Sequence, residues 1–144
     1  LKNDNLKSNL RIGDIKHLPY HRNSFDCIID CECLYSNSFK DTSIILKEIN
    51  RVLKRKGLFF SKTFAKGTYG DGAGPKLRNE RNTYLSIKSP AFNMGYGIIR
   101  ISDLKEIKKL YGESFKIVTV EYVHRSLKKM KKVIKEWVVI SKKK

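Results

Sequence analysis

Two acidic residues follow short apolar segments of the chain. Gly13-Asp14 comes after Leu10-Arg11-Ile12, and Asp30 ends the segment FDCIID that begins at Phe25. In open α/β sheets, ligands bind beyond the carboxyl ends of the strands. Since both aspartates come at the ends of predicted strands, we predict that they face one crevice, and that this crevice is the ligand site.

Other side chains with chemical potential come directly after Asp30. Asp30 and Glu32 either orient a substrate or accept its proton, or they belong to a loop that caps the next helix. Tyr35 either stacks on a substrate or packs in the core. Asp14 also has a second interpretation, because Asp is common in tight turns. Asp30, Glu32 and Tyr35 are therefore candidates, and no catalytic residue is assigned.

The cysteines indicate the redox environment. Cys27, Cys31 and Cys33 lie within seven positions, in or just after an apolar stretch. Cys31 and Cys33 form C-x-C, not C-x-x-C, and the three histidines add no recognised metal-ligand spacing. We predict buried, reduced thiols in a cytoplasmic protein and no metal site.

The charge of the chain allows two interpretations. Its formal net charge is +17, with 31 Lys and Arg against 14 Asp and Glu. Such an excess is typical of proteins that bind nucleic acid. However, the basic residues are mostly Lys, whereas base and phosphate recognition favours Arg. We therefore favour a solvated surface, and keep Lys128 to Lys135 and the terminal lysines as an alternative RNA-binding surface.

The apolar pattern of the first half predicts alternating strands and helices. Leu10–Ile12 is the end of a strand, and FDCIID is a buried parallel strand. A helix begins at Ser38 or Asp41 and runs to about Lys54, with Gly57 as its C′ residue. A further buried strand runs from Leu58 to about Phe64.

The second half begins with a segment that has no clear periodicity. Residues 66–82 are rich in Gly and charge, residues 84–100 are ambiguous, and we interpret 66–100 as a lid or substrate loop. A helix capped by Ser102 and ended by Gly112 follows. Strands at Phe115 to Val123 and Trp137 to Ile140 form an antiparallel hairpin. The order predicts an α/β fold with mostly parallel strands and crossover helices.

The spacing of several short motifs resembles class I S-adenosylmethionine-dependent methyltransferases of the small-molecule type. The motifs are Gly13-Asp14, Leu18-Pro19-Tyr20, Ser24-Phe25-Asp26, and Arg51-Val52-Leu53-Lys54 with Gly57. The resemblance covers most of the chain from Leu10 onward. It implies a Rossmann-like fold, an S-adenosylmethionine cofactor, and methyl transfer to a small molecule.

The resemblance also implies roles for individual residues. Asp14 would accept a hydrogen bond from the adenine amino group, and the backbone of Ile15 would lie at the adenine edge. Asp30 to Glu32, including Cys31, would lie near the methionine end and the substrate.

The chain departs from the family pattern in one large respect. It begins at about the third strand, so that the first strand, its glycine-rich turn and the acidic residue that binds ribose are missing. Gly70-Asp71-Gly72-Ala73-Gly74 spells G-x-G-x-G, but no helical pattern follows it. We therefore expect a single partial domain over 1–144 that binds cofactor weakly or not at all. It would pair with a missing N-terminal segment or form a homo-oligomer. The alternative is an inactive methyltransferase-like module that binds RNA or a partner chain.

Overall fold

The computed structural model describes residues 8–88, 92, 96–127, 129 and 131–144. Within these residues the chain forms two helices, a four-stranded sheet and a two-stranded sheet. The elements are β1 (Phe25–Cys31), a 3₁₀ turn (Leu34–Ser36), α1 (Phe39–Val52), β2 (Leu53–Phe64), β3 (Thr83–Leu85), β4 (Ile98–Arg100), α2 (Leu104–Ser114), β5 (Phe115–Leu127) and β6 (Lys132–Lys143).

The larger sheet has the strand order β1-β2-β6-β5. β1 and β2 are parallel, whereas β6 runs antiparallel to both β2 and β5. The predicted α/β class and the antiparallel C-terminal hairpin are confirmed. The parallel part is smaller than predicted, since β1 and β2 form the only parallel pair of this sheet in the described residues.

The predicted strand at Leu10–Ile12 is wrong. These residues have no regular structure, and the side chains of Leu10 and Ile12 are 80% and 106% exposed. A three-residue apolar segment that leads into a turn finds neither a packing partner nor a neighbouring strand here. β1 is therefore the edge of the sheet in the described residues.

The first predicted helix is confirmed at its start but not at its end. Ser38 is the N-cap, and its side chain accepts a hydrogen bond from the backbone N–H of Asp41 at 3.0 Å. The helix ends at Val52 and continues directly into β2, so Gly57 is not a C′ residue. Gly57 is needed for another reason: a Cβ there would lie 2.9 Å from the carbonyl oxygen of Asp26. The glycine thus allows two backbones to approach closely where the β1–β2 register shifts.

The second helix begins and ends slightly later than predicted. Its N-cap is Asp103, which forms a capping box with Glu106, and the helix continues past Gly112 to Ser114. Ser102 does not cap the helix, because its hydroxyl accepts from Arg100 and its carbonyl accepts from the Trp137 indole. The capping box satisfies two backbone N–H groups that would otherwise lack partners.

Two hydrophobic clusters hold the elements together. The first lies between both helices and one face of the sheet and contains Ile45, Leu46, Phe59, Leu110 and Val139 among others. The second packs the segment from Tyr84 to Ile101 against Phe64 and Ile134, at the carboxyl end of β2. On the sheet face opposite the helices, Ile29 remains 71% exposed. The helix-facing cluster positions the end of β1, where the candidate site lies.

Candidate functional site

A cleft of about 200 Å³ lies between the loop after Gly13 and the carboxyl end of β1. Most of its lining is apolar, and α1 forms one wall. The lining residues are Ile15, Leu18, Ile28, Ile29, Asp30, Cys31, Cys33, Leu34, Ile45 and Ile49. An apolar cleft with a few polar groups is typical of a small-molecule site. Three of the residues predicted to bind the cofactor, Ile15, Asp30 and Cys31, are thus brought together.

Asp14 lies beside this cleft and not in its wall. It lines an adjoining hollow of about 100 Å³, which shares Ile15 and Leu18 with the cleft. Asp14 does not end a strand, because its Oδ1 accepts from the backbone N–H of Lys16 at 2.9 Å in a turn. Among the described residues its Oδ2 has no hydrogen-bond donor, so this oxygen is available to a ligand.

Two residues of α1, Glu48 and Arg51, hold the loop in place, and sequence reasoning missed them. Glu48 accepts from the backbone N–H of Leu18 at 2.8 Å, and Arg51 donates to the carbonyl of Leu18 at 3.0 Å. The two side chains also pair with each other at 2.7 Å. The hydrogen bond from Arg51 lowers the pKa of Glu48. Their i,i+3 spacing on the polar side of α1 was the available sign of this pair.

Asp30 is buried at the end of β1 and is saturated with hydrogen bonds. Its Oδ1 accepts from the backbone N–H groups of Cys33 and Leu34 at 3.1 and 3.3 Å, and its Oδ2 accepts from the Ser61 hydroxyl at 2.7 Å. Burial raises the pKa of Asp30, although these hydrogen bonds act in the opposite direction. The carboxylate therefore shapes the 3₁₀ turn that forms one wall of the cleft.

A buried polar network continues behind Asp30. The hydroxyls of Ser61 and Tyr111 lie 2.7 Å apart. Arg100, which is only 1% exposed, donates to the Ser102 hydroxyl at 2.9 Å and to the carbonyls of Leu34 and Asn37 at 3.3 and 3.4 Å. Sequence reasoning missed this network, although one arginine within the apolar segment IIRIS was a visible sign. It fixes the 3₁₀ turn from the side opposite the cleft.

Glu32 belongs to a separate charged cluster on three neighbouring strands. Lys62 Nζ lies 3.0 Å from Glu32 Oε1 and 2.8 Å from Oε1 of Glu136, which is 1% exposed. Arg125 Nε lies 3.5 Å from the other oxygen of Glu136. Burial raises the pKa of Glu136, whereas that of Glu32 is lowered, because hydrogen bonds from Glu136 and Lys62 outweigh its partial burial. Glu32 adopts a left-handed backbone conformation with a φ of 58°.

Tyr35 is buried in the second hydrophobic cluster. Its ring meets that of Phe64 edge-on at a centroid distance of 4.8 Å, and burial raises the pKa of its hydroxyl. Packing, one of the two predicted alternatives, is what the structure shows for this ring. Contact with a substrate would require the rings around it to separate.

Two further predictions concern the cysteines and metal ions. All three cysteines are free, but they are exposed and not buried, because they lie on the edge strand and in the turn after it. In the described part of the chain, no group of three or more His, Cys, Asp or Glu side chains is placed to hold a metal ion. No helix there is long and apolar enough to span a membrane.

Comparisons with known proteins bear on this geometry. A family model described as "Methyltransferase domain" matches residues 1–61. A solved S-adenosylmethionine-dependent methyltransferase from Methanosarcina mazei superposes with a TM-score of 0.77 at 22% identity, over 95% of this chain and 68% of that one. The chain has the fold of a class I S-adenosylmethionine-dependent methyltransferase. The predicted family resemblance and the cofactor class that it implies are confirmed.

Two other solved structures extend the comparison of this methyltransferase fold. A protein from Pyrococcus horikoshii has a TM-score of 0.73 at 17% identity, over 99% of this chain and 63% of that one. The 1,6-didemethyltoxoflavin-N1-methyltransferase of Burkholderia thailandensis, solved with 1,6-didemethyltoxoflavin and S-adenosylhomocysteine, has a TM-score of 0.63 at 20% identity, over 90% of this chain and 48% of that one. No curated protein sequence matches the chain. The methyltransferase chain thus spans between about half and two thirds of the length of these solved proteins.

Proposed function

We propose that the chain takes part in methyl transfer from S-adenosylmethionine to a small-molecule acceptor. The observation that supports this most directly is the apolar cleft at the carboxyl end of β1, which joins Ile15, Asp30 and Cys31. When bound, the cofactor supplies an electrophilic methyl group, so the protein needs mainly to align the reacting groups. A site without an evident acid or base is compatible with that chemistry.

The lining of the cleft fits the adenosine part of the cofactor. Ile15, Leu18 and Leu34 offer apolar surface to a flat ring, and Asp14 Oδ2 beside them can accept from an amino group. We assign Asp14 and the backbone of Ile15 to the adenine. Asp30 and Cys31, at the end of the strand, would face the methionine part. Asp30 acts there chiefly by holding the 3₁₀ turn, because its oxygens already accept three hydrogen bonds.

The acceptor would lie under the segment 66–100, which we propose as a lid over the carboxyl ends of β1 and β2. Support comes from its packing, since Tyr84, Ile87 and Ile99 lie against Phe64 at the end of β2. Glu32, held by Lys62 at the same end, is the better placed of the two candidate carboxylates for accepting a proton. The Gly70–Gly74 motif forms turns, and no helix follows it within residues 75–88.

The sheet edge suggests a further partner for the proposed enzyme. The outer edge of β1 has no neighbouring strand among the described residues, and unpaired edges attract other strands. We propose that a further N-terminal segment or a second copy of the chain completes the sheet. The free, exposed thiols of Cys27, Cys31 and Cys33 favour a reducing, cytoplasmic location.

A cleft-filling substitution tests the proposed cofactor site. Cys31 and Cys27 are both exposed residues of β1, but only Cys31 lines the cleft. We expect Cys31→Trp to weaken the binding of S-adenosylhomocysteine at least tenfold, because the indole would occupy the space for the nucleoside. Calorimetric titration of the two variants and the unmodified chain measures this.

The matched control is Cys27→Trp, which should bind S-adenosylhomocysteine like the unmodified chain. Equal affinities of the two tryptophan variants would show that the nucleoside lies elsewhere. No heat of binding for the unmodified chain at ligand concentrations of about 1 mM would contradict the proposed function itself.

A further inference from the structure

The tip of the β5–β6 hairpin concentrates positive charge. Residues 124–135 contain six Lys and Arg in twelve positions and no acidic residue, whereas the whole chain has 31 in 144. The six are Arg125, Lys128, Lys129, Lys131, Lys132 and Lys135. The density of basic residues at the tip is thus about twice that of the chain, so a uniform distribution does not account for it.

The hairpin extends beyond the rest of the sheet. β5 and β6 remain paired as far as Leu127 and Lys132, whereas the pairing of β6 with β2 stops at Glu136. Past that point only a turn supports β6, through hydrogen bonds from Ala65 and Tyr69 to its backbone carbonyls. Lys129 and Lys131 at the tip are exposed. A large ligand can therefore reach the tip from several directions.

The charge at the tip is largely unneutralised. Arg125 pairs with Glu136, but within the described residues no carboxylate lies at ion-pair distance from Lys129, Lys131, Lys132 or Lys135. The terminal lysines differ, since Lys143 and Lys144 donate to backbone carbonyls at or near the ends of α1 and α2. They act as local caps of the helix ends. The hairpin tip, and not the C-terminus, is thus the free basic surface.

Aromatic side chains lie next to these lysines on one face of the hairpin. Tyr122 and His124 lie on the same side of β5, with ring centroids 4.5 Å apart, and Tyr122 is 44% exposed. Lys135 is the partner of His124 across the strands, so it shares that face. Exposed aromatic rings next to lysines can stack on unpaired bases while the lysines contact phosphates.

We propose that this hairpin tip binds single-stranded RNA. The lysines would neutralise the phosphates, and Tyr122 and His124 would stack on bases that a duplex would hide. RNA is the common single-stranded polynucleotide of cells, and an acidic membrane surface would use the lysines but not the exposed rings. The inference does not depend on methyl transfer, since it needs neither the cofactor nor the cleft.

The test is fluorescence anisotropy of the full chain with a labelled, unstructured 20-nucleotide RNA between 50 and 200 mM KCl. We expect the double substitution Lys129→Glu with Lys131→Glu to weaken binding at least tenfold. It should also lower the salt slope by about 1.4, as expected for the loss of two phosphate contacts. The control, Lys105→Glu with Lys108→Glu, makes the same charge change on exposed positions of α2 and should weaken binding less than threefold.

A second variant tests the stacking. His124→Ala, at an exposed position, should weaken RNA binding severalfold and leave the binding of inorganic polyphosphate unchanged. Equal losses in the two charge-reversed variants would overturn the proposal, because the binding would then follow total charge. Equal or tighter binding of duplex RNA, of the matching DNA strand, or of phosphatidylserine vesicles would also overturn it.

Discussion

Replacement of Arg100 by methionine is expected to lower the free energy of unfolding by about 3 kcal/mol. The guanidinium is 1% exposed and donates to the Ser102 hydroxyl and to the carbonyls of Leu34 and Asn37. Methionine fills similar space but donates nothing, so buried acceptors lose their partner. Urea unfolding followed by circular dichroism measures the change.

Two controls separate this network from general effects at arginine positions. Arg78→Met, at an exposed position, should change the free energy of unfolding by less than about 0.5 kcal/mol. Arg100→Lys should recover less than half of the loss, since an ammonium group cannot reach three acceptors in the directions of a guanidinium. A stability of Arg100→Met within about 1 kcal/mol of the unmodified chain would show that these hydrogen bonds do not hold the turn.

Removal of the Asp30 side chain is the second large effect. Asp30→Ala leaves the backbone N–H groups of Cys33 and Leu34 and the Ser61 hydroxyl without an acceptor. We expect a loss of about 3 kcal/mol in the free energy of unfolding. Asp30→Asn should lose only about 1 kcal/mol at pH 7, because its amide oxygen still accepts from the backbone and its amide N–H can donate to Ser61. Similar losses for Ala and Asn would show that the charge, and not the hydrogen bonding, is what matters.

The pH dependence of stability provides a further comparison of the same variants. Burial raises the pKa of Asp30, so the folded chain keeps this proton to a higher pH than the unfolded chain does. The contribution of Asp30 to stability is therefore complete below the ordinary pKa of Asp, about 4, and is lost as the pH rises through the raised value. The stability advantage of the unmodified chain over Asp30→Asn should decrease from pH 4 to pH 7. An increase over that range would contradict the assignment of Asp30 as a carboxyl group destabilised by burial of its charge.

Local sequence patterns predicted the elements that form this fold, because those elements satisfy their own backbone. The Ser38 cap, the apolar face of α1 and the buried strand FDCIID each follow from short-range rules. The antiparallel hairpin was also predictable. The errors came where tertiary contacts decide, as at Gly57, where the close approach of β1 and not a helix end requires glycine.

The candidate site was predicted less completely than the fold. The positions of Ile15, Asp30 and Cys31 around one cleft followed from strand ends and from the family resemblance. The partners that hold them did not, because Glu48, Ser61, Arg100 and Tyr111 lie between about 30 and 80 positions away from the residues they support, with no local pattern to reveal the contact. Asp14 shows the opposite case, since its local turn, and not a strand, decides its position.

Thiol alkylation is the most direct test of whether the cleft at the end of β1 holds the nucleoside of the cofactor. All three cysteines are exposed, but Cys31 and Cys33 line the cleft and Cys27 does not. Burial and the nearby charge of Asp30 raise the pKa of Cys33, so the reaction is best followed by mass spectrometry at mildly alkaline pH. Saturating S-adenosylhomocysteine should slow the alkylation of Cys31 and Cys33 at least fivefold and leave that of Cys27 unchanged. Unchanged alkylation of Cys31, or equal protection of all three thiols, would contradict the proposed site.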